Sequence, residues 1–485
     1  MVPYALHGGD PLVMFKINEF SDRIRADFEK GGLFEGLIKK HLSANDHHLK
    51  LFYKPDMTKA EREEQSAKKT LMALQQALTD EEKKTIIDET AALQAYQETL
   101  QDHNVLPSLS LQDIPKNIEF TDSETRMIGN VKTHFYDQPT NGITHVRIKV
   151  NMKRLPAEAR LFLPMFSEML GSIGTKNYKY DEFNSLMLNC TSGLDVSIDR
   201  YCDADDHEDI HAREESLLLS TGFLDRNTDR AFTCLGEILA SPNFDEPSNI
   251  SELVKMGSIN KANNLGNKGL QYARSYSSSG LKAFARSHET FRNDIFFCQY
   301  AAQMLNTAQP LPIITDAVEK MTDIASHLFR EENLEIAVHG SKAKFDLIQL
   351  KIEMLLNKMK NENSRFVDRH AILTRLPEDE FANSQVFYKN FFKTPLQVNN
   401  CCESMIGPTN KNIDDYGAMI VLTELLTFVN LLPSVREKGG AYGAGAGISE
   451  SGIISFYSYR DPNVSKTFDN FEKAINSIVD GNFTE

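Results

Sequence analysis

Residues 436–447 read REKGGAYGAGAG, and GIISFYSYRD follows at 452–461. The G-x-G-x-G run suggests a dinucleotide loop, but that fingerprint needs a strand before it and a helix after it, whose N-terminus takes the pyrophosphate. Here the order is reversed. An apolar helical pattern at 413–432 precedes the glycines and an alternating strand pattern follows them. GSIGTK at 171–176 lacks the full G-x-x-x-x-G-K-[ST] spacing. Both places are therefore excluded as nucleotide sites. What remains is a helix, a glycine turn and a strand. Gly439 and Gly440 permit close backbone approach or positive φ immediately before the strand. Arg436 and Tyr442 flank the turn, and a forked cation with a phenol donor suits a peptide carbonyl or carboxylate. A helix C-terminal arginine, a C-cap glycine and a sheet tyrosine account for the same residues. The sequence leaves both open.

Outward from this turn, strand and helix patterns alternate with long helical insertions. On the N-terminal side of the turn, strand-like residues run from about 385 to 406, and a helical pattern at 463–479 closes the segment. Further upstream, HFYDQPTNGITHVRIKVNM (134–152) predicts a strand, a turn and a second strand in which His145, Arg147 and Lys149 alternate with Val146, Ile148 and Val150. Helices are expected near 156–171 and 180–190, strands at GLDVSIDRY and SLLLSTGFL, helices again over 226–330, a strand at NLEIAVHG (333–340) and a helix at 344–360. The pattern predicts an α+β fold, with antiparallel-rich sheets carrying helices on one face. Before it lies a polar helical pair. Thr58 with Glu61 and Thr79 with Glu82 fit capping boxes, and the apolar stripes are Leu71, Leu74, Leu78 and Ile86, Leu93, Leu100. HLKLFYKPD (48–56) reads as a short strand.

The chain has 485 residues, enough for two or three domains, and a formal net charge of −15. An acidic surface argues against nucleic acid and anionic membrane as partners and favours basic ones. Six cysteines (190, 202, 234, 298, 401, 402) form no CxxC and no disulfide-framework spacing, which fits free thiols. The N-terminus has neither a signal-peptide pattern nor an Arg-rich presequence. The most apolar stretch, 417–433, contains Thr423, Glu424, Thr427 and Asn430 and ends at Pro433, so it is expected to be a buried helix of a soluble protein.

HEDIH at 207–211 matches the zinc motif H-E-x-x-H, with His207 and His211 as ligands and Glu208 as base. The flanks, CDADDHEDIHAREES, are polar and lie between two strand patterns, whereas a zinc helix needs an apolar back face. His207, Glu208 and His211 are therefore expected to form a loop, with no metal and no catalytic residue. The inverted motif H-x-x-E-H is absent from all 13 histidines.

VREKGGAYGAGAG with GIISFYSYRDPN closely resembles the C-terminal substrate-binding segment of presequence proteases, zinc peptidases of the pitrilysin/insulinase class to which falcilysin also belongs. GGDPL (8–12), QPTNGI (138–143) and LDRN (224–227) match in the same order, so the resemblance covers essentially the whole chain. It implies mitochondrial processing peptidase-like domains in two halves joined by a helical hairpin. On that pattern, residues 1–56 are the tail of a second peptidase-like domain, 57–117 the hairpin linker, 118–362 a third, non-catalytic domain, and 363–485 part of a fourth. Arg436 and Tyr442 resemble the pair that holds substrate near the scissile carbonyl. The resemblance further implies unstructured, basic peptides as substrates and a mitochondrial matrix or other organelle lumen. It places the zinc in an N-terminal half that this chain lacks and must partner. The chain alone is thus expected to be an inactive portion of a metalloendopeptidase, the alternative being a catalytically dead peptide-binding scaffold.

Overall fold

The computed structural model describes residues 2–98, 107, 109–117, 119–153, 155–201, 214–265, 267–282, 285, 290–307, 311–363, 388–393, 398–405, 413–449 and 451–481. Two units separate at Asn117 and Ile118. The first holds the helices Ile17–Glu29, Lys59–Ala77 and Asp80–Glu98, and none of its described residues is buried. The turn between the long helices is fixed as the sequence predicts. Thr79 N and Oγ1 both donate to Glu82 Oε2 (2.8 and 2.9 Å), and Glu82 N donates back to Thr79 Oγ1 at 3.3 Å. Thr58 behaves otherwise. Its N and Oγ1 donate to Asp56 Oδ1, so the aspartate two residues earlier takes the role expected of Glu61. The strand expected at 48–56 is absent: these residues are irregular, with Leu49, Leu51, Phe52 and Tyr53 exposed. The apolar alternation that suggested it finds no partner strand among the described residues of this unit.

The second unit carries the strands β1 (Glu124–Ile128), β2 (Val131–Asp137), β3 (Ile143–Asn151), β4 (Gly174–Thr175), β5 (Asp195–Tyr201), β6 (Glu214–Leu224), β7 (Pro242–Asn243), β8 (Leu334–Gly340), β9 (Tyr388–Lys393), β10 (Val398–Met405), β11 (Gly443–Ile448) and β12 (Ile453–Tyr459). Six form one sheet in the order β1-β2-β8-β3-β6-β5, and four form another in the order β11-β12-β10-β9. β4 and β7 make a separate short pair. The fold is α+β, rich in antiparallel pairs, with β2–β8 the parallel exception in the large sheet. β2 and β3 follow one another through the turn at Asn141 and Gly142, both at positive φ, yet they are not a hairpin because β8 is inserted between them. The strand expected at 385–406 is two, β9 and β10, paired antiparallel.

Strand alternation determines the layers. On β3, Val146, Ile148 and Val150 are buried, while His145 and Arg147 are exposed. The inward side chains meet helices Thr228–Ala240 and Phe345–Asn363 through Leu235, Ile238, Leu239, Ile348, Ile352 and Leu355 in one continuous core. Each such side chain, fully buried, contributes about 1.5–3 kcal/mol. One charge lies in this layer. Glu237 is 3% exposed, bonded by Lys358 Nζ and, at 3.0 and 3.1 Å, by Asn177 Nδ2. Burial works against its ionised form, but the bonds from Lys358, Asn177 and Thr175 outweigh it and hold its pKa below the ordinary value. Cys190, Cys234 and Cys298 are free thiols.

The small sheet is covered on both faces. Phe471, from helix Ser465–Val479, packs on Phe456 with ring centroids 5.7 Å apart. On the opposite face lies helix Gly269–Ser278 of the larger domain, where Arg274 donates to Ser455 Oγ at 3.1 Å and sits 5.4 Å from the Tyr457 ring.

Candidate functional site

The helix before the glycine turn runs from Ile413 and changes register midway. From Leu426 to Glu437 it has π hydrogen bonding, with Pro433 inside it. π segments are uncommon and occur most often at functional sites. This helix was expected to be buried, and that is corrected. It does pack on β11 and Ser465–Val479, burying Leu426, Leu431 and Val435. Its other side leaves Ile420, Val421, Phe428 and Val429 exposed, Val421 by 68% and Phe428 by 65%. Tyr416–Glu437 is also the one helix among the described residues long and apolar enough to cross a membrane, by length and composition alone.

The turn is built tightly. Gly440 has φ +81°, its N–H donates to Arg436 O at 2.9 Å, and Ala441 N donates to Val435 O at 3.1 Å. These bonds close the orphan carbonyls of the helix end, and the left-handed residue is a glycine because a Cβ is penalised there. Gly439 is required for a different reason: an added Cβ would stand 2.4 Å from Val435 O. Asn463 Nδ2 fastens the turn from outside by donating to Gly439 O at 2.8 Å, while its own N–H bonds Asp461 Oδ1 at 2.8 Å.

Arg436 and Tyr442 thus emerge from the two ends of one braced turn. Arg436 is exposed, and its guanidinium has no ion-pair or hydrogen-bond partner among the described residues. Tyr442 is 69% exposed, with its backbone N–H anchored on Tyr459 O at 3.0 Å. Its ring meets Tyr459 edge-on at 5.9 Å, and the Arg460 guanidinium lies 5.8 Å from Tyr442 and 5.2 Å from Tyr459. Tyr459 also lines a cleft of about 790 Å³ between helix Gly269–Ser278 and strands β11 and β12, together with Arg274, Ser275, Ile448 and Ile453. Tyr459 and Arg460 are the members the sequence did not single out. The available signal was the YRD immediately after the alternating strand, with Arg460 at φ +48° where the chain turns back.

No group of three or more His, Cys, Asp or Glu side chains that could hold a metal occurs among the described residues. His207, Glu208 and His211 lie outside them.

A family model for the associated domain of peptidase M16 subfamily C matches residues 53–294, and one described as "PreP C-terminal domain" matches 389–484. The chain belongs to the presequence-protease family. The curated relatives it matches include "Presequence protease, mitochondrial" of Danio rerio, 28% identical over 99% of this chain and 47% of the relative. The proteins of the same name from Drosophila melanogaster (26% identical, 96% and 43%) and Saccharomyces cerevisiae (25% identical, 97% and 46%) match as well. The chain spans about half the length of these relatives. Among solved structures, the peptidase M16 inactive domain from Pseudomonas fluorescens is similar at 13% identity and a TM-score of 0.48, covering 75% of this chain and 80% of that one.

Proposed function

We propose that this chain is the substrate-holding portion of a presequence-protease-like metallopeptidase, in which Arg436 and Tyr442 grip the backbone of an extended, basic peptide. The observation that carries this is the pairing of a partnerless exposed arginine with an exposed tyrosine across a turn that Gly439, Gly440 and Asn463 hold rigid. Arginine supplies a forked donor pair and tyrosine a directed one, which together suit a carbonyl oxygen that gains charge during hydrolysis. The net charge of −15 favours a basic peptide as the occupant. On this reading residues 1–56 and 57–117 are a domain tail and a hairpin linker, 118–362 a non-catalytic peptidase-like domain, and 363–485 the domain that carries the grip. The catalytic zinc and its ligands belong to a separate N-terminal half, and the natural setting is the mitochondrion, as in the names of the relatives.

The test has two arms. Fluorescence anisotropy with a labelled, unstructured basic peptide is expected to show binding that Arg436→Ala weakens about tenfold, the cost of one charged hydrogen-bond pair. Adding the N-terminal half of a relative in trans is expected to give cleavage of the same peptide, reduced by Tyr442→Phe. Equal binding by Arg436→Ala, with no cleavage on reconstitution, would overturn the proposal.

A further inference from the structure

A second polar site lies in the larger domain, on the face of the six-stranded sheet opposite the helices. It shares no residue with the Arg436–Tyr442 turn and does not depend on the function proposed for it. Tyr136, His339, His145 and Gly222 stand in one register row across β2, β8, β3 and β6. Arg147 is two residues along β3 on the same face, with Ser220 opposite it on β6 and Asp195 beyond on β5. At about 4.8 Å per strand, the Arg147 and Asp195 backbones are about 10 Å apart. Between them is a cleft of about 510 Å³ lined by His145, Arg147, His339, Gln138, Ser192 and Asp195 among others.

Three features set this cleft apart from an ordinary solvated sheet face. The flanking charges are already neutralised: His134 Nε2 pairs with Glu335 Oε1 at 3.1 Å, and Lys149 with Glu214 at 3.0 Å. Arg147 has no ion-pair or hydrogen-bond partner among the described residues, and neither imidazole facing the cleft is paired with a carboxylate. The imidazoles are also positioned. His339 stacks on Tyr136 at 4.5 Å with planes 7° apart, and His145 Nδ1 sits where a Gly222 Cβ would be 3.0 Å away, so only glycine leaves it room. The local potential is positive. Burial, then the charges of Arg147 and His145, hold the His339 pKa below its ordinary value.

We propose that this cleft binds a carboxylate, with Arg147 as its forked partner and His145 and His339 as further donors. Guanidinium geometry matches a carboxylate in a way that a point charge does not. Asp195 on the opposite wall adds a negative charge that discriminates against multiply charged anions, which is why a carboxylate rather than a phosphate is the assigned class.

Isothermal titration of the full chain with N-acetylglycine, N-acetylglycinamide and inorganic phosphate at neutral pH distinguishes these possibilities. N-acetylglycine is expected to bind at least about tenfold more tightly than its amide, as charged hydrogen bonds require, and more tightly than phosphate. Arg147→Gln is expected to abolish the difference between acid and amide, and Arg147→Lys to recover only part of it. Asp195→Asn is expected to narrow the preference over phosphate. In NMR titrations of the ring signals, the His339 pKa is expected to rise on addition of N-acetylglycine and to stay put on addition of the amide. The proposal is wrong if acid and amide bind alike or not at all, if phosphate binds more tightly than N-acetylglycine, or if Arg147→Gln leaves the acid's affinity unchanged.

Discussion

The six-stranded and four-stranded sheets are built from the same parts, antiparallel strands with helices laid across them, and they use those parts to different degrees. The large sheet buries a continuous core that runs from Ile128 to Met359 and includes a satisfied ion pair. The small sheet gathers only Leu426, Leu431, Val435, Ala441, Ala444, Phe456, Phe471 and Ala474. It borrows a helix from its neighbour for its second face and leaves Val421 and Phe428 in solvent. Dense burial makes a scaffold, whereas sparse burial around a braced turn leaves backbone and side chains available for a ligand.

That contrast can be broken at several points. The largest effect is expected from Phe166→Ala in the fully buried large core, about 3–5 kcal/mol by denaturant unfolding. Phe471→Ala is expected at the low end of that range, and hydrogen exchange should show it loosening β12 while β3 stays protected. Equal loss of protection in both strands would mean that the two sheets unfold as one. Lys358→Met leaves Glu237 buried without its cation and is expected to cost about 3 kcal/mol at neutral pH. Because the folded pKa of Glu237 is depressed, its stabilisation is complete above the unfolded value of about 4.3 and is lost as pH falls through the folded value. The gap between wild type and variant should therefore shrink in acid, and a gap that widened there would refute the assignment.

Within the turn, Gly439→Ala must push against Val435 O and is expected to cost about 1–3 kcal/mol. Gly440→Ala meets only Pro462 Cγ, at 3.5 Å, so positive φ alone remains, about 1 kcal/mol. Thermal unfolding of the two variants should rank them in that order. Val421→Ser with Phe428→Ser should change stability least, within about 0.5 kcal/mol for each exposed site. The same double variant should lower binding of an apolar dye, because the patch it removes lies on the surface.

Periodicity carried most of the fold in the sequence. The alternation of His145, Arg147 and Lys149 with valine and isoleucine placed β3 and its faces correctly, because a half-buried strand has no other pattern. The insertion of β8 between β2 and β3 was hidden, since register is decided by contacts about 200 residues apart in the chain and not by the intervening turn. The apolar run at 417–433 was misjudged for a related reason. Hydropathy records what a helix could bury, and only packing records what it does. The candidate site was half legible. Glycines mark turns directly, so Arg436 and Tyr442 stood out beside them, whereas Arg460 joins the aromatic pair only through the folding back of β12 and carried no local mark.

One hydroxyl in the small domain bears on solubility as well as on shape. β11 is the terminal strand of its sheet and reads GAGAGI, an alternation of glycine and alanine of the kind that stacks flat in fibres. Thr427 Oγ1 reaches across from the π helix to accept from Ala446 N at 2.8 Å and lies 3.3 Å from Ala446 O, occupying both polar groups of that residue. A strand from another molecule would need those groups to extend the sheet. The helix thus guards the end of a silk-like ribbon with a single side chain, and the choice of threonine over valine at 427 becomes a matter of keeping neighbouring molecules apart.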